Sequence, residues 1–204
     1  MEKRMNQQEV HDAVNALWDD HEIMRSIFQF MKPEVHVDRT FVDASRPGGS
    51  TPYGRVHLKE AITDQFVVEN NARGHRLNHA FVVALWAILE DFSESHPGFK
   101  KQTTGQDDPW PWLGLCELLR AVAGHGQRGR YIEGTARVGT QRRWTKNSRK
   151  LTELMGQLID EDALEATLRN GEQHFNFSKT TVLRPLRAGC LRCIDAWFRE
   201  TAGR

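Results

Sequence analysis

Apolar positions recur at threes, fours and sevens over most of the chain, the spacing of helices buried along one side. Val10, Val14, Leu17, Met24, Phe28 and Met31 predict a first helix that ends before Pro33. From Lys32 to Pro52 the pattern is irregular. Val35, Val37 and Thr40–Val42 carry the β-propensity of at most a short hairpin, and Arg46-Pro47-Gly48-Gly49-Ser50 reads as a loop. A second helical zone covers about Leu58 to Phe92, clearest at Leu77, Phe81, Leu85, Ile88, Leu89 and Phe92, with Gly74 as a point of break or kink. Pro97, Gly98, Pro109 and Pro111 make His96–Pro111 a connector. A third helix is expected from about Trp112 to Ala123, with Leu115, Leu118, Leu119 and Val122 facing inward and Gly124 and Gly126 marking its end. Leu151, Leu154, Met155, Leu158, Ile159 and Leu168 predict a fourth helix, stopped by Asn170-Gly171. His174-Phe175-Asn176-Phe177 alternates like a short extended segment, and Ser178 is placed to cap a last helix carrying Val182, Leu183, Leu186, Ile194, Trp197 and Phe198. The expected fold class is all-α, a helical bundle with long connectors, whose core holds Leu85, Leu89, Leu119, Leu158, Ile194 and Trp197.

A chain of 204 residues can bury such a core without metal or disulfide support. Its longest apolar run, near Ala80–Leu89, is too short to span a bilayer. The polar N-terminal residues do not read as a secretion leader, and three cysteines cannot all pair. The expectation is a cytoplasmic protein with reduced thiols and no membrane partner.

The formal net charge of +1 conceals segregation. Between Arg120 and Lys150 nine basic residues face one acid, Glu133, whereas Leu151 to Glu172 holds six acids and one Arg. A concentrated basic segment can hold a polyanion locally. The alternative is a solvated loop balanced by the acidic stretch that follows.

Within Leu118-Leu119-Arg120-Ala121-Val122-Ala123-Gly124-His125-Gly126, an apolar helix delivers an Arg and, after four intervening residues, a His between glycines. Such a pair suits phosphodiester chemistry. A guanidinium grips phosphate oxygens through parallel bonds, and an imidazole gives or takes a proton near neutral pH. A five-residue step rotates about 140° on a helix, so the two side chains converge only if the helix loosens near Gly124 or a second subunit completes the site. The structural alternatives are an ion pair of Arg120 with Glu117 and an interaction of His125 with the helix dipole.

The motif and its setting resemble the HEPN superfamily, the higher eukaryotes and prokaryotes nucleotide-binding helical domains. The resemblance spans roughly Arg76 to Phe198 and rests on Arg120, His125 and Gly126, on the helix ending in Leu89-Glu90-Asp91-Phe92, and on the closing helix introduced by Phe175-Asn176-Phe177. It implies a division into an N-terminal helical extension of residues 1–70, whose role is unknown, and a HEPN-like domain of residues 71–204. It also implies a metal-independent endoribonuclease of toxin or antiviral-defence type, with no cofactor. The 2′-hydroxyl of RNA would attack its own phosphodiester at a site composed of Arg120 and His125 from two subunits of a homodimer. An antitoxin or larger defence complex is the expected protein partner. Arg128, Arg130, Arg137, Arg142 and Arg143 would hold RNA phosphates outside the scissile bond. The residue after the Arg, often Asn, Asp or His in active members, is Ala121 here. That keeps open a non-catalytic nucleotide- or RNA-binding or oligomerisation module.

Other constellations carry less. Cys190 and Cys193 form a single CxxC, and His75 and His79 stand one helical turn apart; joining the two pairs would give four metal ligands. Core filling for the cysteines and a polar helix face for the histidines, with Arg73 and Arg76, is the simpler reading, so no metal site is assigned. Trp110 and Trp112 can stack bases or plug the top of the bundle.

Overall fold

The computed structural model describes residues 5–28, 40–42, 55–57, 64–125, 149–160, 163–169 and 172–201. The fold is all-α. Helix α1 (Gln7–Ile27) opens on a capping box in which Asn6 and Glu9 bond each other's backbone N–H at 3.0 and 2.9 Å. A short antiparallel pair follows, β1 (Thr40–Val42) against β2 (Arg55–His57), within the segment expected to be irregular or at most a hairpin. Helix α2 (Asp64–Ser95) runs unbroken through Gly74, and a 3-10 turn over Phe99–Thr104 leads to α3 (Trp110–His125). Helix α4 covers residues 149–158. A second antiparallel pair, β3 (Leu164–Arg169) and β4 (Glu172–Phe177), precedes a wide π turn (Lys179–Leu183) and α5 (Arg184–Thr201).

One hydrophobic cluster joins these elements. Val10, Val14 and Trp18 enter it from α1, and Phe81, Leu85, Leu89 and Phe92 from α2. Leu115, Leu119 and Val122 enter from α3, Met155 from α4, and Leu186, Cys190 and Ile194 from α5. Of the six expected core residues, Leu85, Leu89, Leu119 and Ile194 are fully buried, and Leu158 and Trp197 pack at the margin. The division expected at residue 70 falls inside α2, and α1 shares its core with the helices beyond that division. No helix among the described residues is long and apolar enough to cross a membrane.

Two expectations need correction. Leu168 is not in the fourth helix. That helix stops at residue 158, and Leu168 lies in β3, opposite Gln173 of β4. The register pairs Arg169 with Glu172 on either side of the Asn-Gly dipeptide, which is a strong hairpin signal as well as a helix stop. On α1 the buried face passes through Trp18, His21 and Arg25, while Met24 is 40% exposed. Ser178 does cap the segment that leads into α5, accepting from the Thr181 backbone N–H at 3.3 Å.

Candidate functional site

Arg120 stands half-buried on the last turns of α3, beyond the fully buried Leu119. Its charge reaches Glu90 on α2 rather than only its own helix. Glu90 accepts from Lys100 Nζ at 2.6 Å, and that ammonium lies 5.7 Å from the centroid of the Trp86 ring. The hydrogen bond from Lys100 is the main cause holding the Glu90 carboxyl below its ordinary range. Partial burial opposes it, and contact with Trp86 and the charges of Lys100 and Arg120 assist. Glu90 is thus hydrogen-bonded to Lys100 and feels the charge of the motif Arg more weakly.

His125 is the last residue of α3, which remains a regular α-helix up to that point. The helix does not loosen before its end. Positions 120 and 125 are therefore about 140° apart around the axis and about 7.5 Å apart along it. One chain's helix does not bring the two positions onto a common face. Arg128, Arg130, Arg137, Arg142 and Arg143 lie outside the described residues.

The remaining candidates resolve as packing. Trp110 and Trp112 are buried, the first edge-on to Phe99 and the second under the Arg192 guanidinium, so neither offers a free face to a base. Cys116, Cys190 and Cys193 are buried free thiols. Cys190 is hydrogen-bonded to Cys116, which together with burial pushes its pKa well up; Cys193 donates to the Pro109 carbonyl at 3.1 Å. His79 packs on Phe177 with ring centroids 4.7 Å apart. Among the described residues no group of three or more His, Cys, Asp or Glu side chains is arranged to hold a metal ion.

The structure adds a polar seam that the sequence reading does not contain. It lies where α1 and α2 cross in opposite directions, below β4 and the π turn. His21 is buried against Phe81 and Trp18, at 4.9 and 5.8 Å between centroids. Asn78, fully buried, donates Nδ2–H to the Phe177 carbonyl at 2.7 Å and engages His21 through its side chain. One turn on, the buried Arg25 guanidinium donates to the Phe28 carbonyl and lies over Gly74, where a Cβ would collide with it. Lys179 Nζ reaches Glu22 Oε1 at 3.0 Å. Burial first, then the charges of Arg25 and Lys179, push the His21 pKa down to about 4, against the opposing hydrogen bond of Asn78. At neutral pH this imidazole is uncharged and enclosed. It ties α1 to α2 and is not placed to meet a substrate. The signal for it was the stripe Val10, Val14, Trp18, His21, Arg25, which keeps helical spacing while turning polar.

No protein-family model, curated protein or solved structure matches the chain.

Proposed function

We propose that this protein acts on RNA, as a metal-independent endoribonuclease of toxin or defence type, through Arg120 and His125. One observation carries the reading. Arg120 is half-exposed on the final turns of α3, His125 closes that helix, and the chain leaving it holds the densest run of cationic residues in the sequence. In the proposed reaction the RNA 2′-oxygen forms a bond to the adjacent phosphorus as the bond from phosphorus to the 5′-oxygen breaks. His125 accepts the 2′-hydroxyl proton, the departing 5′-oxygen takes a proton from water, the hydroxide so formed takes up the proton held by His125, and Arg120 offsets the added negative charge. The products are a 2′,3′-cyclic phosphate and a 5′-hydroxyl. Because α3 stays regular to its end, the two groups meet only if Arg120 of one copy faces His125 of another. The reading therefore includes a homodimer, acting in the cytoplasm under control of an antitoxin or larger complex.

Purified chain carrying Arg120→Ala or His125→Ala tests this. Each variant should fold and lose RNA cleavage by about 10²–10⁴. A mixture of the two should recover part of the activity, since one composite site then keeps both groups. Wild-type chain that leaves RNA intact, or variants as active as wild type, would overturn it.

The regular helix and Ala121 favour a second reading, a non-catalytic RNA-binding or oligomerisation module. Under it RNA binding persists in His125→Ala and cleavage is never seen.

A further inference from the structure

The outer face of α2 has no described element packed over it. Arg73, Arg76, Ala80, Val83, Ala87, Asp91 and Glu94 are all exposed. At 100° per residue they fall within an arc of about 80° and extend about 32 Å along the helix. The order of this face is symmetrical about the midpoint between Val83 and Ala84. Arg73 and Glu94 lie equally far from that midpoint, as do Arg76 and Asp91, and Ala80 and Ala87. Between Arg73 and Glu94 one end is basic, the other acidic, and the centre is small and apolar, while the exposed Glu69 continues the face one turn beyond Arg73. An antiparallel copy of the same helix would place each arginine opposite a carboxylate, and alanine opposite alanine where the axes come closest.

A two-fold axis generates this arrangement, because an isologous contact pairs residue i with j and j with i. Among the described residues Arg73 makes a loose ion pair with Glu69, at 3.8 Å with both side chains about half exposed, and lies 6.0 Å from the Phe28 ring. Val83 is 39% exposed at the centre of the face, beside the half-buried Ala84.

We infer that a second copy of this chain docks antiparallel along the outer face of α2, with Arg73 and Arg76 of each copy against Glu94 and Asp91 of the other. The pairing is independent of the ribonuclease reading. It leaves the two Glu90 positions, each beside its own Arg120, about 20 Å apart along the helices. It therefore does not itself join the two motif ends: a monomeric wild type would sink both proposals, whereas double variants that associate like wild type would sink the pairing alone.

Sedimentation of the full chain at low salt, across a dilution series, tests the pairing. Wild type should self-associate. Arg73→Glu with Arg76→Glu makes both ends acidic, and Asp91→Arg with Glu94→Arg makes both ends basic. Each double variant should associate at least tenfold more weakly, whereas their equimolar mixture should associate again. All four changes in one chain restore self-complementarity and should restore the dimer. Mild oxidation of Val83→Cys should give a disulfide-linked dimer, whereas Gln65→Cys, far from the midpoint, should not. Circular dichroism confirms that these surface variants fold. A monomeric wild type, double variants that associate like wild type, or equal cross-linking at Val83→Cys and Gln65→Cys would overturn the inference.

Discussion

Lowering the pH should destabilise this protein through His21 before it titrates the carboxylates. The native imidazole is held neutral, its pKa pushed down to about 4 from 6.5 by burial and then by Arg25 and Lys179. Between those values the unfolded chain binds more protons than the native one, so stability falls as the pH falls. The contribution is complete above the unfolded value of 6.5. It is lost progressively down to about 4, where both states carry the proton and the loss levels off. A difference of that size corresponds to roughly 3 kcal/mol, a substantial share of the ~5–15 kcal/mol that stabilises a typical domain. Glu90 acts in a separate window: its lowered pKa adds stability that is complete above 4.5 and lost below it. Urea unfolding of wild type and His21→Phe, from about pH 7 to about pH 4.5, isolates the histidine. Phenylalanine keeps a ring between Trp18 and Phe81 and cannot titrate. Wild type should lose about 2–3 kcal/mol more over this range than the variant, whatever the variant's starting stability. Parallel losses would refute the argument.

Gly189 lies flat against the Trp112 indole, where an added Cβ would be 2.6 Å from Cε3 with two ring atoms nearer still; Gly189→Ala should cost about 2–3 kcal/mol, and an unchanged melting temperature would count against it. Asn78→Ala removes the buried donor to the Phe177 carbonyl and should cost about 1–3 kcal/mol in denaturant unfolding, with Asn78→Asp no better because a carboxylate brings no donor. Glu90→Gln removes the carboxylate near Arg120, so if RNA binds at the α3 end its affinity should rise about two- to fivefold at low salt, and the gain should fade as salt is added. Arg142→Glu with Arg143→Glu should weaken RNA binding across sequences and flatten its salt dependence by roughly 0.7 per lost single-strand phosphate contact. An unchanged slope with a lowered melting temperature would instead assign those arginines to the fold.

Helix positions were legible because burial on one side imposes a period that survives in the sequence. Phe81, Leu85, Leu89 and Phe92 were read correctly from that period, and Leu119 and Ile194 likewise. The errors on helix faces share one cause, the assumption that buried means apolar. On α1 that assumption selected Met24, which is exposed, over His21 and Arg25, which are buried. On α2 it selected Leu77, which is half-buried, over Asn78, which is fully buried. Leu168 differs: a lone leucine after a helix fits either period, and the Asn-Gly dipeptide, which serves equally as a helix stop, decides here for a hairpin.

At the candidate site, intrahelical geometry was legible and interhelical geometry was not. The turn angle between positions 120 and 125 follows from residue count alone, and the regular α3 keeps it. The electrostatic neighbour of Arg120 does not follow from residue count. Spacing offered Glu117, one turn away on the same helix, while packing of α2 beside α3 brings up Glu90, thirty residues earlier in the chain. This difference bears on any anionic ligand. A phosphate approaching Arg120 enters a field that already includes the Glu90 carboxylate, which is itself engaged by Lys100 at 2.6 Å. The hydrogen bond from Lys100 is the larger of the two cationic influences on Glu90. A phosphate drawn to Arg120 therefore offsets only the lesser of these influences and leaves the Lys100–Glu90 hydrogen bond in place.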